Sequence, residues 1–312
     1  MVPETAPPLR WLLAAGERRR QAYRYWVRDV LTGMGNGLGH HLLRLLPVDA
    51  CSAVGAGLGV LAAARYPRST ARALELMRRL RPDQDAQEAL TRLWRHVGRA
   101  FAEYSVLDRI LRQGRVTQTG NEHLQAALDS GRPIIALSLH LGHWEIFPAR
   151  FSALYPTAAA LYLVPPNRFE HRLVAAARLR AGVRREAMVP AHLLNARKMV
   201  RALKDGRHFL IHIDELIRGR VQAPAFGRPL RDEGNIAYVA RLAAMTGAYV
   251  MPVYCRRLGA AARFELVFLP EIPIARDGDV IDNIAALNAV IEPVVAAHLD
   301  QWFYGLDFRF DN

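Results

Sequence analysis

The chain has 312 residues, 51% of them hydrophobic, so it is long enough to bury a sizeable core. Its 42 lysines and arginines against 29 acidic residues give a formal net charge of +13, which leaves nucleic acid, anionic lipid and an acidic carrier protein open as partners. The two cysteines, Cys51 and Cys255, lie far apart without CxxC spacing, which argues against a disulfide framework or a zinc ribbon and indicates a cytosolic protein.

The N-terminal region combines arginines with aromatic and apolar residues. Residues 1–20 mix prolines and three consecutive arginines with a short apolar run, so no secretory signal peptide is predicted. Residues 25–48 carry Arg28, Asp29 and Arg44, and therefore fall short of the roughly 20 uninterrupted apolar residues of a spanning helix. The pattern is typical of a helix in a membrane interface, but a buried bundle helix has the same pattern, and both interpretations stay open.

Hydrophobic periodicity predicts the architecture of the rest of the chain. From residue 22 to about 114 the spacing of apolar residues is helical. From residue 133 onward, short β-rich runs alternate with helical stretches, which predicts an α/β fold with a mostly parallel central sheet flanked by helices and a helical N-terminal extension. Without repeats or long linkers, a helical region (1–115, membrane-associating in part) and an α/β core (116–312) are predicted to form one structural unit. The predicted strands are 134–139, 158–164, 208–214, 248–254 and 264–269, and the predicted helices are 168–181, 193–203, 235–246 and 280–299.

The segment from residue 134 to 145 carries the clearest chemical signal. An apolar strand ends in His140 and turns through Gly142 towards a predicted helix, and open α/β sheets place their ligands at such strand ends. An imidazole there can accept the proton of an attacking hydroxyl if a carboxylate holds its other ring nitrogen. Glu145, five residues later and about one turn into the predicted helix, is predicted to be that carboxylate. His143 is interpreted either as a residue that contacts substrate or supports the catalytic groups from behind, or as a surface histidine of the new helix.

This segment resembles the HX4(D/E) motif of the bacterial lipid A biosynthesis lauroyl and myristoyl acyltransferases. The resemblance extends over about residues 46–310, with its landmarks in the family's order. The threonine that usually follows the phenylalanine-glycine-x-proline loop is replaced within residues 230–233, so the acceptor pocket is expected to differ. Further landmarks are residues 94–104, 120–124, 225–229, 247–253 and 301–304.

The same resemblance assigns candidate substrate-binding residues. Asn167, followed eleven residues later by Arg178, is similar to the family's asparagine and arginine segment, which implies a substrate-positioning arginine at Arg178, with Arg180 as the alternative. A guanidinium suits a phosphate because it offers a planar pair of donors. Asp214 matches the first residue of the family's Asp-Gln pair, whereas Glu215 departs from the glutamine.

The resemblance implies transfer of a fatty acyl group from a thioester to a hydroxyl of a lipid A precursor or of another glycolipid or lipid. His140 would act as general base with support from Glu145, and no metal or other cofactor would be required. Acyl carrier protein or coenzyme A would carry the acyl group, and the basic chain suits the acidic carrier. The acceptor would be an anionic lipid, and the expected location is the cytoplasmic face of the bacterial inner membrane, peripheral or with a weak N-terminal anchor.

Two alternatives belong to other functional classes. One is a metal-dependent hydrolase, although the HExxH signature is absent. The other is a non-enzymatic basic protein that binds anionic membrane or nucleic acid, but the dispersed arginines and the lack of a nucleic-acid motif argue against nucleic acid. The metal ligands of the first alternative would be His140, His143, His208, His212 and Asp214.

Overall fold

A seven-stranded sheet forms the centre of the computed structural model, which describes residues 5–190 and 196–310. The strands are β1 Val116–Thr119, β2 Ile134–Ser138, β3 Ala158–Tyr162, β4 Met188–Pro190, β5 His208–His212, β8 Tyr249–Arg257 and β9 Phe264–Phe268, and a separate hairpin consists of β6 Leu216–Ile217 and β7 Arg220–Val221. Their order in the large sheet is β1-β9-β8-β2-β5-β3-β4. All neighbours in this sheet are parallel except β8 and β9, so the predicted mostly parallel α/β fold is confirmed.

Helices account for the N-terminal part of the chain, as the periodicity predicts. A π-helical segment, Arg24–Arg28, joins the first two α-helices into one continuous helix. Within the next helices, glycines allow close backbone approach, since a Cβ at Gly59 would collide with the carbonyl oxygen of Trp94. These helices are α1 Gly16–Tyr23, α2 Asp29–Leu45, α3 Val48–Ala63, α4 Pro67–Leu80, α5 Ala86–Glu103 and α6 Leu107–Arg112.

The remaining helices alternate with the strands. Two of them are capped by the side chain of the preceding residue: Asn167 accepts a hydrogen bond from the Phe169 amide, and Asp279 accepts one from the Ile281 amide. The predicted helix at 193–203 is observed from Ala196, because residues 193–195 lie outside the described ranges. These helices are α7 Asn121–Asp129, α8 Ile146–Leu154, α9 Arg168–Arg180, α10 Ala196–Lys204, α11 Gly234–Thr246 and α12 Val280–Ala297, and 3₁₀ turns occupy Leu9–Leu13, Tyr104–Val106, Arg185–Ala187, Leu299–Gln301 and Phe303–Leu306.

Strand β2 lies at the middle of the sheet, and all five of its residues are buried. Ile135 and Leu137 join the core formed with α11 and α12, whereas Ile134 and Ala136 join the core on the other face, with α8. This division follows from the alternation of side chains along a strand. Helices therefore cover both faces of the strand that leads to His140.

One helix among the described residues, α12, is long and apolar enough to cross a membrane by length and composition. The pair α3 and α4, bent by 100°, meets the same criteria if both are counted as one span. In α12, side chains on one face are buried in the core of the sheet, namely Ile284, Leu287, Ile291 and Val295.

Candidate active site

His140 lies two residues beyond the end of β2, in a loop that the C-terminal segment of the chain holds in place. The amide of Phe303 donates to the carbonyl oxygen of His140 at 3.0 Å, and the amide of Gly142 donates to Gln301 at 3.1 Å. Gly142 has a φ of 60°, and a Cβ there would collide with the carbonyl oxygen of Cys255. Only glycine fits both constraints, so the turn after His140 is fixed by the fold.

The side chain of Asp214 holds His140 through two hydrogen bonds. Its Oδ1 lies 2.9 Å from His140 Nδ1, and its Oδ2 accepts from the His140 backbone amide at 2.8 Å. The indole Nε1 of Trp302 donates to the same Oδ2 at 2.8 Å, and the carboxylate is fully buried. An ionised carboxylate only accepts hydrogen bonds, so His140 carries its proton on Nδ1, and Nε2 is the nitrogen that can accept another.

The pKa of His140 reflects this partner. Burial disfavours the charged imidazolium, but the charge and hydrogen bond of Asp214 outweigh burial and raise the pKa above its ordinary value. The ring is 13% exposed, so it is accessible while remaining largely shielded from water. This is the environment of an imidazole that accepts a proton and is then stabilised as a cation.

Glu145 does not hold the His140 ring, and this part of the sequence prediction is wrong. Its carboxylate forms a bidentate ion pair with Arg178, at 2.7 Å from Nε and 2.6 Å from the Nη2 atom, and accepts from the hydroxyl of Tyr104 at 2.7 Å. Glu145 also immediately precedes α8 rather than lying a turn inside it.

The strand register explains why Asp214 rather than Glu145 reaches the histidine. In the parallel pairing of β2 with β5, Ser138 lies opposite His212. Two residues further along both strands, His140 and Asp214 are again opposite each other, at the carboxyl edge of the sheet. The spacing of residues along the chain indicated Glu145 as the carboxylate partner of His140. The pairing of the two strands instead places Asp214 next to this ring.

The Glu145–Arg178 pair is almost fully buried. Burial favours the neutral acid, but the charge and hydrogen bonds of Arg178 outweigh it and lower the pKa of Glu145 to about 2. The guanidinium also stacks over the Tyr162 ring, 4.9 Å from its centroid. Nε and Nη2 point towards the carboxylate, which leaves the Nη1 edge of Arg178 for another acceptor.

Three of the other candidate residues make contacts within the fold. Besides capping α9, Asn167 donates to the Asp29 carbonyl oxygen at 3.0 Å, and Arg180 lies 2.8 Å from His40 Nε2, so both tie α9 to α2. Glu215 accepts from the side chain of Asn235 at 3.0 Å.

His143 is neither a surface residue nor open to substrate. Its side chain is fully buried beside the rings of Tyr104 and Phe264. Neither of its ring nitrogens has a hydrogen-bond partner among residues 5–190 and 196–310. The interpretation as a surface histidine is therefore wrong, the buried side chain has no exposed surface with which to contact substrate, and a supporting role behind the catalytic groups stays a prediction.

The five proposed metal ligands do not converge as a set, since only His140, His212 and Asp214 lie close together. His208 at the start of β5 accepts from the Ile134 amide, at the opposite end of the strand from His212, while His143 is buried on its own. Within the described part of the chain, no group of three or more histidine, cysteine or carboxylate side chains is placed to hold a metal ion. The structure thus gives no support to the metal-dependent hydrolase.

A cavity of about 380 Å³ is lined by His212, whose ring centroid lies 4.3 Å from that of His140. His212 and Glu215 contribute polar groups to its wall, and most of the remaining wall is apolar. Sequence reasoning missed this cavity, along with the contributions of Tyr104 and Trp302, because the order of strands was unknown. The other lining residues are Leu161, Tyr162, Leu163, Ile211, Leu216, Ile217, Arg218, Asn235 and Tyr238.

Comparison with known families places this site in context. The family model described as bacterial lipid A biosynthesis acyltransferase matches residues 17–309. No curated protein matches the chain. The family match includes every residue of the site described above, from Tyr104 to Trp302, and confirms the resemblance seen in the sequence.

Titration of His140 distinguishes its two candidate partners. We expect Asp214→Asn to lower the pKa of His140 below the ordinary 6.5, because burial then acts without the adjacent carboxylate. Glu145→Gln should change this pKa much less, since Glu145 is engaged by Arg178. NMR titration of the histidine ring resonances in the wild type and both variants measures this, and equal decreases in the two variants would contradict the assignment of Asp214.

Proposed function

The chain belongs to the bacterial lipid A biosynthesis acyltransferase family, and on that premise we propose that it transfers a fatty acyl group from a thioester to a hydroxyl of a lipid A precursor or related glycolipid. The observation that carries the proposal is the His140–Asp214 pair at the carboxyl edge of the sheet. Such a pair supplies a general base whose cationic form is stabilised as it takes up a proton.

In the proposed reaction, Nε2 of His140 takes the proton of the acceptor hydroxyl as the oxygen attacks the thioester carbonyl carbon. Asp214 stabilises the resulting imidazolium. The carbon–sulfur bond then breaks, and the proton passes from His140 to the departing sulfur, so that an ester and a free thiol are formed. Each step is a proton or acyl transfer, and we propose that the thioester is the only co-substrate.

Arg178 is the proposed contact for an anionic group of the acceptor. Glu145, which also accepts from the Tyr104 hydroxyl, holds its guanidinium through Nε and Nη2, and the Nη1 edge points away from this pair. A phosphate binds well to a guanidinium edge whose orientation is fixed in advance. In this proposal Glu145 positions Arg178 and has no direct role in proton transfer.

The net charge of +13 supports an acidic or phosphorylated donor. Acyl carrier protein and coenzyme A both fit this description, and we propose one of them as the carrier of the acyl group. Long-range attraction of such a donor raises the rate of association more than the final affinity.

Helix α2 supports a peripheral position on the membrane. One face is buried against α9, where Gly33 packs on Phe169 and His40 contacts Arg180. The opposite face exposes large apolar side chains at three- and four-residue spacing, as expected of an interfacial helix. We propose that this face contacts the cytoplasmic surface of the inner membrane. Its residues are Leu31, Met34, Leu38, Leu42 and Leu45, all at least 55% exposed.

Replacing the general base tests the reaction. We expect His140→Ala to lower acyl transfer by about a hundred- to ten-thousand-fold, the usual contribution of a general base, with an unchanged circular dichroism spectrum. The assay uses lauroyl acyl carrier protein and lauroyl-coenzyme A as donors, with a lipid A precursor as acceptor. His123→Ala, on α7, is the control and should keep wild-type activity. Near-normal turnover by His140→Ala would refute the mechanism. The function itself is tested by mass spectrometry of lipids from cells with and without the protein. If no lipid differs by one acyl group between the two, the proposed function is refuted.

Arg178→Lys tests the role of the guanidinium. Charge is retained, but an ammonium group cannot pair with Glu145 through two parallel hydrogen bonds and simultaneously present a fixed edge. We expect kcat/KM for the acceptor to fall by at least tenfold. Arg172→Lys, exposed on the same helix, is the matched control. Equal, small effects at the two positions would mean that the acceptor anion is bound elsewhere.

Flotation with lipid vesicles tests the membrane surface. We expect the double variant Leu38→Gln/Leu42→Gln to bind phosphatidylglycerol vesicles at least tenfold less than the wild type, because it loses apolar area from the exposed face of α2. Leu128→Gln/Leu154→Gln alters two exposed leucines elsewhere and should bind normally. Equal binding by all three proteins would place the membrane contact on another surface.

A further inference from the structure

His212, the last residue of β5, has an environment that the reaction outlined above leaves unexplained. Its ring centroid lies 4.3 Å from that of His140, with the ring planes inclined by 37°. The side chain forms part of the cavity wall and is 7% exposed. The backbone is fixed independently, because the His212 carbonyl oxygen accepts from the side chain of Asn235 at 2.7 Å.

The ring of His212 contains a buried polar atom with no partner. Nε2 accepts and donates no hydrogen bond within residues 5–190 and 196–310. A buried polar atom without a partner costs on the order of 1–3 kcal/mol, so a residue kept for packing alone would be better apolar. The His212 ring instead combines a place in the cavity wall with contact to the ring of the proposed general base, which puts it within reach of a substrate bound there.

The charge state of His212 differs from that of its neighbour. Burial disfavours the imidazolium, and the nearby His140 disfavours it further, so that the pKa of His212 falls to about 3. His212 is therefore neutral at any pH at which His140 can act as a base. A neutral imidazole carries one N–H group and can donate a hydrogen bond without competing for the substrate's proton.

Building on the proposed acyl transfer, we infer that His212 is a further catalytic residue, which donates a hydrogen bond to the carbonyl oxygen of the thioester. Two imidazoles 4.3 Å apart can contact two oxygens on the same carbon. One is the attacking oxygen, which His140 deprotonates, and the other is the carbonyl oxygen, which faces His212. The largely apolar wall of the same cavity suits the hydrocarbon chain attached to that carbon.

The hydrogen bond from His212 stabilises the reaction most when negative charge develops on the carbonyl oxygen of the thioester. As the hydroxyl oxygen bonds to the carbonyl carbon, the carbon–oxygen π electrons move onto the carbonyl oxygen, and His212 N–H binds the resulting oxyanion. When the carbonyl re-forms, the electron pair of the carbon–sulfur bond leaves with the sulfur. The imidazolium of His140 then protonates this thiolate. His212 keeps its proton throughout, so its contribution is to stabilise the oxyanion.

Two substitutions of His212 test the N–H donor and the aromatic ring independently of each other. His212→Phe keeps an aromatic ring but has no donor, and we expect kcat to fall by about a hundred- to a thousand-fold with little change in KM, as for loss of one oxyanion donor. His212→Gln restores a neutral N–H and should keep kcat within about tenfold of the wild type. His208→Leu, on the same strand, removes a structural hydrogen bond and should lower the melting temperature without lowering kcat of the folded enzyme.

The assay follows thiol release from lauroyl-coenzyme A and formation of acylated lipid A precursor. If the wild type forms no acylated product, the proposed function itself fails. If the wild type is active, His212→Phe within threefold of its kcat would overturn the role of His212. Activity as low in His212→Gln as in His212→Phe would also overturn it, because the donor would then be irrelevant. The acid limb of the pH profile should remain unchanged in His212→Gln, since it belongs to His140.

Discussion

The site depends on one buried carboxylate, Asp214. An ionised carboxylate without partners is too costly to bury, and three donors satisfy this one: the backbone and the ring of His140, and the indole of Trp302. These donors come from the loop after β2 and from the C-terminal segment, while the carboxylate follows β5. Burial of Asp214 therefore requires that both strands and the C-terminal segment are in place, and the orientation of His140 follows from that requirement.

A second buried carboxylate connects the N-terminal helices to this centre. Glu145 before α8 accepts from Tyr104 after α5 and from Arg178 on α9. Glu103, the residue before Tyr104, forms a fully buried ion pair with Arg257 of β8. Removing one partner of such a pair leaves an uncompensated charge and is strongly destabilising, although the intact pair adds little net stability. The helical region is thus joined to the sheet at the same place where the acceptor is proposed to bind.

The sequence predicts the architecture better than it predicts the site. The five predicted strands are all observed, because each is an apolar run bounded by turn residues. Strands β1 and β4 of the large sheet are missed, being three or four residues long and only partly buried, and so are the two-residue strands β6 and β7. His140 is found because it follows an obvious strand, but Glu145 is assigned the wrong partner. The deciding fact is that β5 pairs with β2 in a register that aligns His140 with Asp214. Pairing between residues 74 positions apart cannot be deduced from local spacing, although the family resemblance did select Asp214.

The contrast between His140 and His212 shows how the same side chain acquires different properties at one strand edge. His140 follows the apolar strand β2, and His212 is the last residue of the apolar strand β5. Burial opposes a positive charge on both rings. Of the two rings, only that of His140 is hydrogen-bonded to Asp214, so the carboxylate outweighs burial at His140 but not at His212. Proton uptake by His140 then makes a second positive charge 4.3 Å away still less favourable, which keeps His212 neutral at the moment when negative charge forms on a substrate. A base and a neutral donor can therefore coexist side by side because a single carboxylate distinguishes between them.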